Sequence, residues 1–223
     1  MTNQLFKEAM IKFFSGLIGV ALLIFLPAGT LKYPQGWLLM GILFVPMFGA
    51  GLVMMAKAPD LLRRRLDAKE TESEQKTVIL LSGIMFLAAF IAAGLSFRHD
   101  ILMLPYPASI AFAIVFLLGY ALYAEVLREN TYLLRTIAVE EGQKLIDTGL
   151  YGIVRHPMYM ATLLLFLSMP LVLGSVISFL ICLFYLPIIA KRIKNEEQVL
   201  ERDLEGYVDY KKKVRYRLIP FIW

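Results

Sequence analysis

Four long, nearly uncharged apolar segments dominate the first part of this chain, and they restrict it to one class of architecture. Residues 10–31, 36–56, 77–97 and 105–127 each reach the ~20 residues that a helix needs to cross hydrocarbon. Lipid offers no water to backbone polar groups, so such segments must be helical. Two further apolar segments, 157–173 and 175–190, are shorter, and Gly174 between them predicts a tight helical hairpin, tilted or not fully crossing. The expected fold class is all-α: a polytopic integral membrane helical bundle of four spans plus a C-terminal helical hairpin and a cytoplasmic helix. A hydrophobic content of 59% agrees, since soluble domains lie nearer half.

The first segment follows Lys7 and Lys12 and has the look of a signal peptide, but no convincing small-residue cleavage site follows it, so it reads as an uncleaved span. The net charge is +5, and its placement carries the information. Arg63, Arg64, Arg65 and Lys69 crowd the 57–76 loop, whereas the loops near Lys32 and Arg98 carry little charge. Positive residues prefer the cytoplasm, which puts both termini, the 57–76 loop and the 128–156 segment on that side. The arginine run is then a topology signal, and no nucleic-acid partner is expected. The single cysteine, Cys182, lies in an apolar span and reads as core packing. With no CxxC and no Cys/His cluster, no metal site is expected. His99 reads as a solvated loop residue.

The chain divides into a plain part and a chemical part within one integrated domain. Residues 1–127 hold the four spans, with glycines suited to close helix packing and Pro46 as a predicted kink. Leu61, Leu62 and Leu66 predict a short interfacial helix in the 57–76 loop. Residues 128–223 hold most of the polar chemistry. A polar stretch from Arg135 to Lys144 leads into Thr148-Gly149-Leu150-Tyr151-Gly152-Ile153-Val154-Arg155-His156-Pro157-Met158-Tyr159. Gly149 and Gly152 permit a sharp turn, and Pro157 suits a helix start, with His156 just outside it. After the hairpin come Arg192-Ile193-Lys194-Asn195-Glu196-Glu197, then Tyr207 and Tyr210, on a helix expected over 191–214. Lys211, Lys212 and Lys213 are placed to meet anionic headgroups, and the apolar end at Pro220–Trp223 to dock at the interface. An apolar hairpin returns to the face it left, so both polar motifs are expected on the same, cytoplasmic, side.

Taken singly, these residues have bland explanations. Arg192 and Glu196 stand four apart and form an ordinary surface pair if exposed. His156 alone reads as an interfacial histidine, and Tyr151 and Tyr159 as belt aromatics. Their joint occurrence around one apolar hairpin carries more weight.

At these motifs the chain resembles the isoprenylcysteine carboxyl methyltransferase family, within a membrane methyltransferase superfamily that includes phospholipid N-methyltransferases. The resemblance covers about residues 136–220. It implies S-adenosylmethionine as cofactor, held without a Rossmann fold, in line with the absence of a GxGxxG loop. It implies a cofactor site lined by Gln143, Lys144, Leu145, Ile146, Tyr151, His156, Pro157, Met158, Tyr159 and Glu196, with Arg192 facing the acceptor's reacting group. Two departures stand out: Asp203-Leu204 replaces a frequent Phe-Gly, with Gly206 following, and Met160-Ala161 replaces a glycine after the His-Pro-x-Tyr string.

The implied reaction is methyl transfer to a lipid-like substrate or a small hydrophobic or prenylated one, with a carboxylate as the favoured acceptor. A carboxylate needs no general base at neutral pH, and a permanently charged Arg192 would hold it while a membrane-edge site strips its water. Aromatic faces of Tyr151 or Tyr159 would suit a sulfonium. A thiol or amine acceptor would need a base, for which Glu197 is the candidate. Two other readings stay open: an NADPH-dependent sterol-reductase-like membrane enzyme, whose C-terminal region resembles Arg217–Trp223, and a non-catalytic membrane carrier or assembly protein. Transporters tend to place polar residues at mid-membrane and to repeat internally, which this chain does not do.

Overall fold

The computed structural model describes residues 2–66, 73–130, 132, 139 and 142–223. Within them the chain is helical, with no β-strand. The long helices are α1 (Thr2–Ala28), α2 (Pro34–Lys57), α4 (Ser73–His99) and α5 (Tyr106–Glu129), with a short α3 (Pro59–Leu66) after α2. Then follow α6 (Pro157–Val172), α7 (Val176–Cys182), α8 (Tyr185–Asp203) and α9 (Tyr207–Lys213). Five helical stretches are long and apolar enough to cross a membrane: 4–28, 34–57, 76–99, 106–129 and 176–203; α6 is a shorter apolar helix. The protein is an integral, multi-pass membrane protein. Its large outward side chains are apolar along the spans, as at Leu26, Val45 and Ile114, which is the pattern of a surface solvated by lipid.

Prolines open several helices where a missing N–H is harmless: Pro34 and Pro157 begin α2 and α6, and Pro107 lies in the first turn of α5. Pro46 lies inside an uninterrupted α2. The short helix expected in the 57–76 loop is α3, with Leu62 buried and Arg63 exposed. Lys69 and the side chain of Arg64 lie outside the described residues, as do residues 135–138, 140 and 141 of the polar stretch.

The hairpin of α6 and α7 reaches the same end of the bundle as two other loops. Leu104 N–H donates to Gly174 C=O at 2.7 Å, and Val176 N–H donates to Leu102 C=O at 3.2 Å. Tyr33 is fully buried, donates to Leu173 C=O at 2.5 Å and stacks on Phe97 with 4.0 Å between centroids. The α1–α2 turn, the α4–α5 loop and the α6–α7 turn are therefore level. The hairpin runs the length of its neighbours instead of stopping part-way.

Polar groups inside the bundle are spent on links between helices. Tyr120 of α5 donates to Leu43 C=O of α2 at 2.8 Å, and Ser178 of α7 donates to Ala89 C=O of α4 at 2.8 Å. Such bonds matter in a setting where helices gain little from water-driven association.

The C-terminal region differs from the single helix expected over 191–214. The chain breaks between α8 and α9 because Gly206 takes φ +82°, a left-handed conformation that glycine adopts without strain. The lysine run is also engaged. Lys211 pairs with Glu201, Lys212 with Asp209 at 2.8 Å, and Lys213 with Asp147 at 2.9 Å. The last residues fold back, with Leu218 and Ile219 N–H groups donating to Trp223 C=O.

Close approach of α1 and α4 depends on a missing side chain. A Cβ on Gly94 would lie 2.6 Å from Ile24 O and 2.9 Å from Ala28 N, both backbone atoms. Gly94→Ala is expected to lower the thermal midpoint of the purified protein, by about the 1–3 kcal/mol of an overpacked core; an unchanged midpoint in detergent would show that the two helices are free to separate.

Candidate active site at the polar end of the bundle

The end opposite the three level loops carries both polar motifs, and a buried carboxylate joins them. Glu197 projects from α8 with its side chain 4% exposed. Its Oε1 accepts from Arg155 Nε at 2.7 Å, and its Oε2 accepts from Arg217 Nε at 2.9 Å. His156 Nε2 stands 3.4 Å from the same Oε1. Arg155 also donates through Nη1 to the carbonyls of Val214 and Arg215. The backbone N–H groups of Arg155 and His156 donate to Tyr216 and Arg217 carbonyls at 2.9 and 2.8 Å. The segment before α6 is thus strapped to the segment after α9, with Glu197 as the buckle. Charges this deep are tolerated because each is matched and hydrogen-bonded.

A second layer faces a cavity. Tyr159, on the first turn of α6, donates its hydroxyl proton to Glu196 and accepts from Arg192 Nε at 3.0 Å. The Arg192–Glu196 pair expected from spacing is in this way bridged by Tyr159. His156 lies against the Tyr159 ring, nearly parallel at 5.7 Å, and its Nδ1 is 4.0 Å from Glu196 Oε1.

The approach segment is held from α5. Glu129 accepts from the Leu150 N–H with both carboxylate oxygens. Gly149 beside it has φ +55°, and a Cβ there would fall on the Glu129 carboxylate. Asn130 donates to the Tyr151 hydroxyl at 3.1 Å, and Tyr210 donates to the Tyr151 carbonyl at 2.7 Å. Burial keeps the Tyr151, Tyr207 and Tyr210 phenols well above their ordinary titration range, so all three are neutral.

The cavity is lined by Gln143, Lys144, Leu145, Ile146, Tyr151, His156, Pro157, Met158, Tyr159, Arg192 and Glu196. The structure brings these eleven residues together around one space of about 90 Å³. Glu197, the candidate base, does not line it: its carboxylate is enclosed by Arg155, His156 and Arg217. Asn130, Arg155, Tyr207 and Tyr210 also line the cavity, with Val199, Leu200 and Leu204 as an apolar wall. Arg155 sits in the first motif, and the Tyr207/Tyr210 spacing is visible in the sequence, but nothing local tells which of these side chains turns inward.

A second, larger cavity of about 420 Å³ lies between α4, α6 and α8. Val78, Ile79, Gly83 and Phe86 of α4 face Phe166 of α6 and Ile188 and Ile189 of α8. Thr162 and Tyr185 add a hydrogen-bonded pair of hydroxyls to its wall, 2.8 Å apart. Tyr159 and Arg192 line both cavities.

Comparison with known proteins places the family match over the part of the chain that builds this site. Residues 105–205, which span α5 to α8, match the family model for phospholipid methyltransferase. The resemblance to the membrane methyltransferase family read from the motifs therefore holds. Curated relatives include Delta(14)-sterol reductases. The one from Mus musculus is 31% identical over 93 residues, 40% of this chain and 22% of that protein. Those from Methylotuvimicrobium alcaliphilum and Arabidopsis thaliana are 30% identical over 90 residues and 26% over 136, covering 39% and 56% of this chain. The chain spans only 21% and 37% of their lengths.

If Glu197 is the buckle, Glu197→Ala leaves two guanidinium groups facing an apolar hole. Loss of one partner from a buried pair costs about 3–5 kcal/mol. The variant is expected to expose residues 214–223 to limited proteolysis at protease levels that leave the parent protein intact; equal protection in both would remove Glu197 from this role.

Proposed function

From the family resemblance and the two adjoining cavities, we propose that the protein is an S-adenosylmethionine-dependent methyltransferase acting on a lipid-like carboxylate acceptor. The observation that carries the reading is the shared wall. A small cavity of mixed charged, polar and apolar lining and a larger, mostly apolar one share Tyr159 and Arg192 as wall residues, as a reaction between a polar donor and a hydrophobic acceptor requires. When bound, S-adenosylmethionine supplies a methyl group on a positively charged sulfur.

The residues present suit that group. Glu196 brings a negative charge to the cavity, and the Tyr159 and Tyr151 rings bring electron-rich faces. The apolar wall of Leu145, Leu200 and Leu204 suits a flat heterocycle. Gln143 to Ile146 edge the same space and would hold the donor from the side opposite α8.

On the acceptor side, Arg192 offers a permanent cation at the junction. It would hold a carboxylate without deprotonating, and the surrounding apolar walls would exclude water from it. Orientation of two reactants across a fixed junction is itself a large source of rate. A thiol or amine acceptor is less well served, since the lining acid Glu196 is committed to Tyr159 and Glu197 is enclosed. The hydrocarbon part of the acceptor would lie along Val78 to Phe86 of α4. The charge pattern supports an active site on the cytoplasmic side.

A second reading is favoured by the curated relatives: a sterol-reductase-like enzyme using NADPH. Binding measurements on the purified protein separate the two. S-adenosylmethionine binding without NADPH binding is expected, and the reverse would overturn the proposal. Glu196→Ala is expected to abolish binding of the methyl donor while the protein still inserts and folds. Arg192→Ala is expected to leave donor affinity within about threefold and to remove most methyl transfer to a carboxylate acceptor, read with a labelled methyl group. Loss of donor affinity alone in the arginine variant would reverse these two roles.

A further inference from the structure

One polar atom in the donor cavity has nothing to bond to. Tyr207 opens α9, is 2% exposed and lines the cavity, yet its hydroxyl has no hydrogen-bond partner among the described residues. Its neighbour Tyr210 is equally buried but donates to the Tyr151 carbonyl. A phenol sealed from water and left unpaired is costly, and native structures keep such groups chiefly where a partner arrives later.

Neither buried carboxylate of the site accepts from this hydroxyl. Glu197 is held by Arg155 and Arg217, and Glu196 receives the Tyr159 proton. Among the described residues no acceptor meets this hydroxyl, and it lines the space that a ligand would enter. The surroundings indicate which part of the ligand would meet it. Tyr207 packs with Leu204, Tyr210, Leu145 and Leu200 in an apolar cluster, its ring tilted against Tyr210 at 5.7 Å. That cluster suits a flat, uncharged heterocycle. Burial first, then the charges of Glu197 and Glu196 against that of Arg155, keep this phenol protonated, so it offers a neutral donor suited to a nitrogen or oxygen acceptor.

We infer that the Tyr207 hydroxyl is a hydrogen-bond donor to the nucleoside portion of the bound methyl donor, at a ring nitrogen or a ribose oxygen. This rests on the methyltransferase reading above. It makes Tyr207 a binding residue on α9, beyond the cofactor residues that the family resemblance implies.

Tyr207→Phe removes that hydroxyl alone and keeps the ring. Calorimetry on the full chain in detergent, with S-adenosylhomocysteine and 5′-methylthioadenosine as probes, gives the test. Methylthioadenosine keeps the nucleoside and lacks the amino-acid end. The variant is expected to bind both about three- to tenfold more weakly, as for loss of one neutral hydrogen bond. Its unliganded thermal midpoint should equal that of the parent, whereas Tyr210→Phe, which strands a buried carbonyl, should lower it.

Unchanged affinity for both probes would overturn the inference. So would a loss confined to S-adenosylhomocysteine, or a parent protein that takes S-adenosylhomocysteine but not methylthioadenosine, since either puts the anchoring contacts at the amino-acid end. A lowered midpoint in Tyr207→Phe would reveal an internal partner and overturn it as well. A parent protein that binds neither nucleoside would sink the methyl-donor reading itself.

Discussion

A single carboxylate buried between two guanidinium groups organises the polar end of this membrane protein. Glu197 sits on the last long helix, Arg155 just before α6 and Arg217 just after α9. Apolar packing brings the helices side by side but is indifferent to how three non-helical segments meet beyond the hydrocarbon. Directional, charge-assisted bonds supply that information. Once Glu197 is in place, Arg155 can reach the carbonyls of Val214 and Arg215, and the backbone of 155–156 can pair with 216–217. His156 and Tyr159 then have no freedom to drift from Glu196 and Arg192.

The bundle sets the depth of this assembly. The α6–α7 hairpin extends to the far loops, where Gly174 and Leu173 carbonyls receive donors from Leu104 and Tyr33. Both of its arms therefore end at the same polar face, and motifs separated by the whole hairpin become neighbours. The small cavity faces the strapped segments, while the larger cavity opens among apolar residues of α4, α6 and α8.

Much of this was legible in the primary structure, and the parts that were not share a cause. Apolar length and charge placement expose spans, since lipid leaves the backbone no alternative to the helix. The convergence of the His156 and Glu196 motifs follows from a hairpin that must return. The residues expected to line the cofactor site gather around one cavity. What escaped was side-chain direction beyond the membrane. Glu196 and Glu197 are adjacent and chemically alike, yet a helix turns them about 100° apart, so one reaches the cavity and the other is enclosed by arginines. The break at Gly206 was hidden because glycine marks turns and tight packing equally. The ion pairs of Lys211 with Glu201 and Lys213 with Asp147 could not be read in advance because those partners are distant in the chain.

The hydroxyl of Tyr159 has one proton and is shared between Arg192 and Glu196, at the wall common to two cavities. A molecule that draws Arg192 away from it, or competes for Glu196, alters the bonds that the other side experiences. Ligands filling both chambers would for that reason be thermodynamically linked. Whatever factor one occupant exerts on the affinity of the other is returned in equal measure.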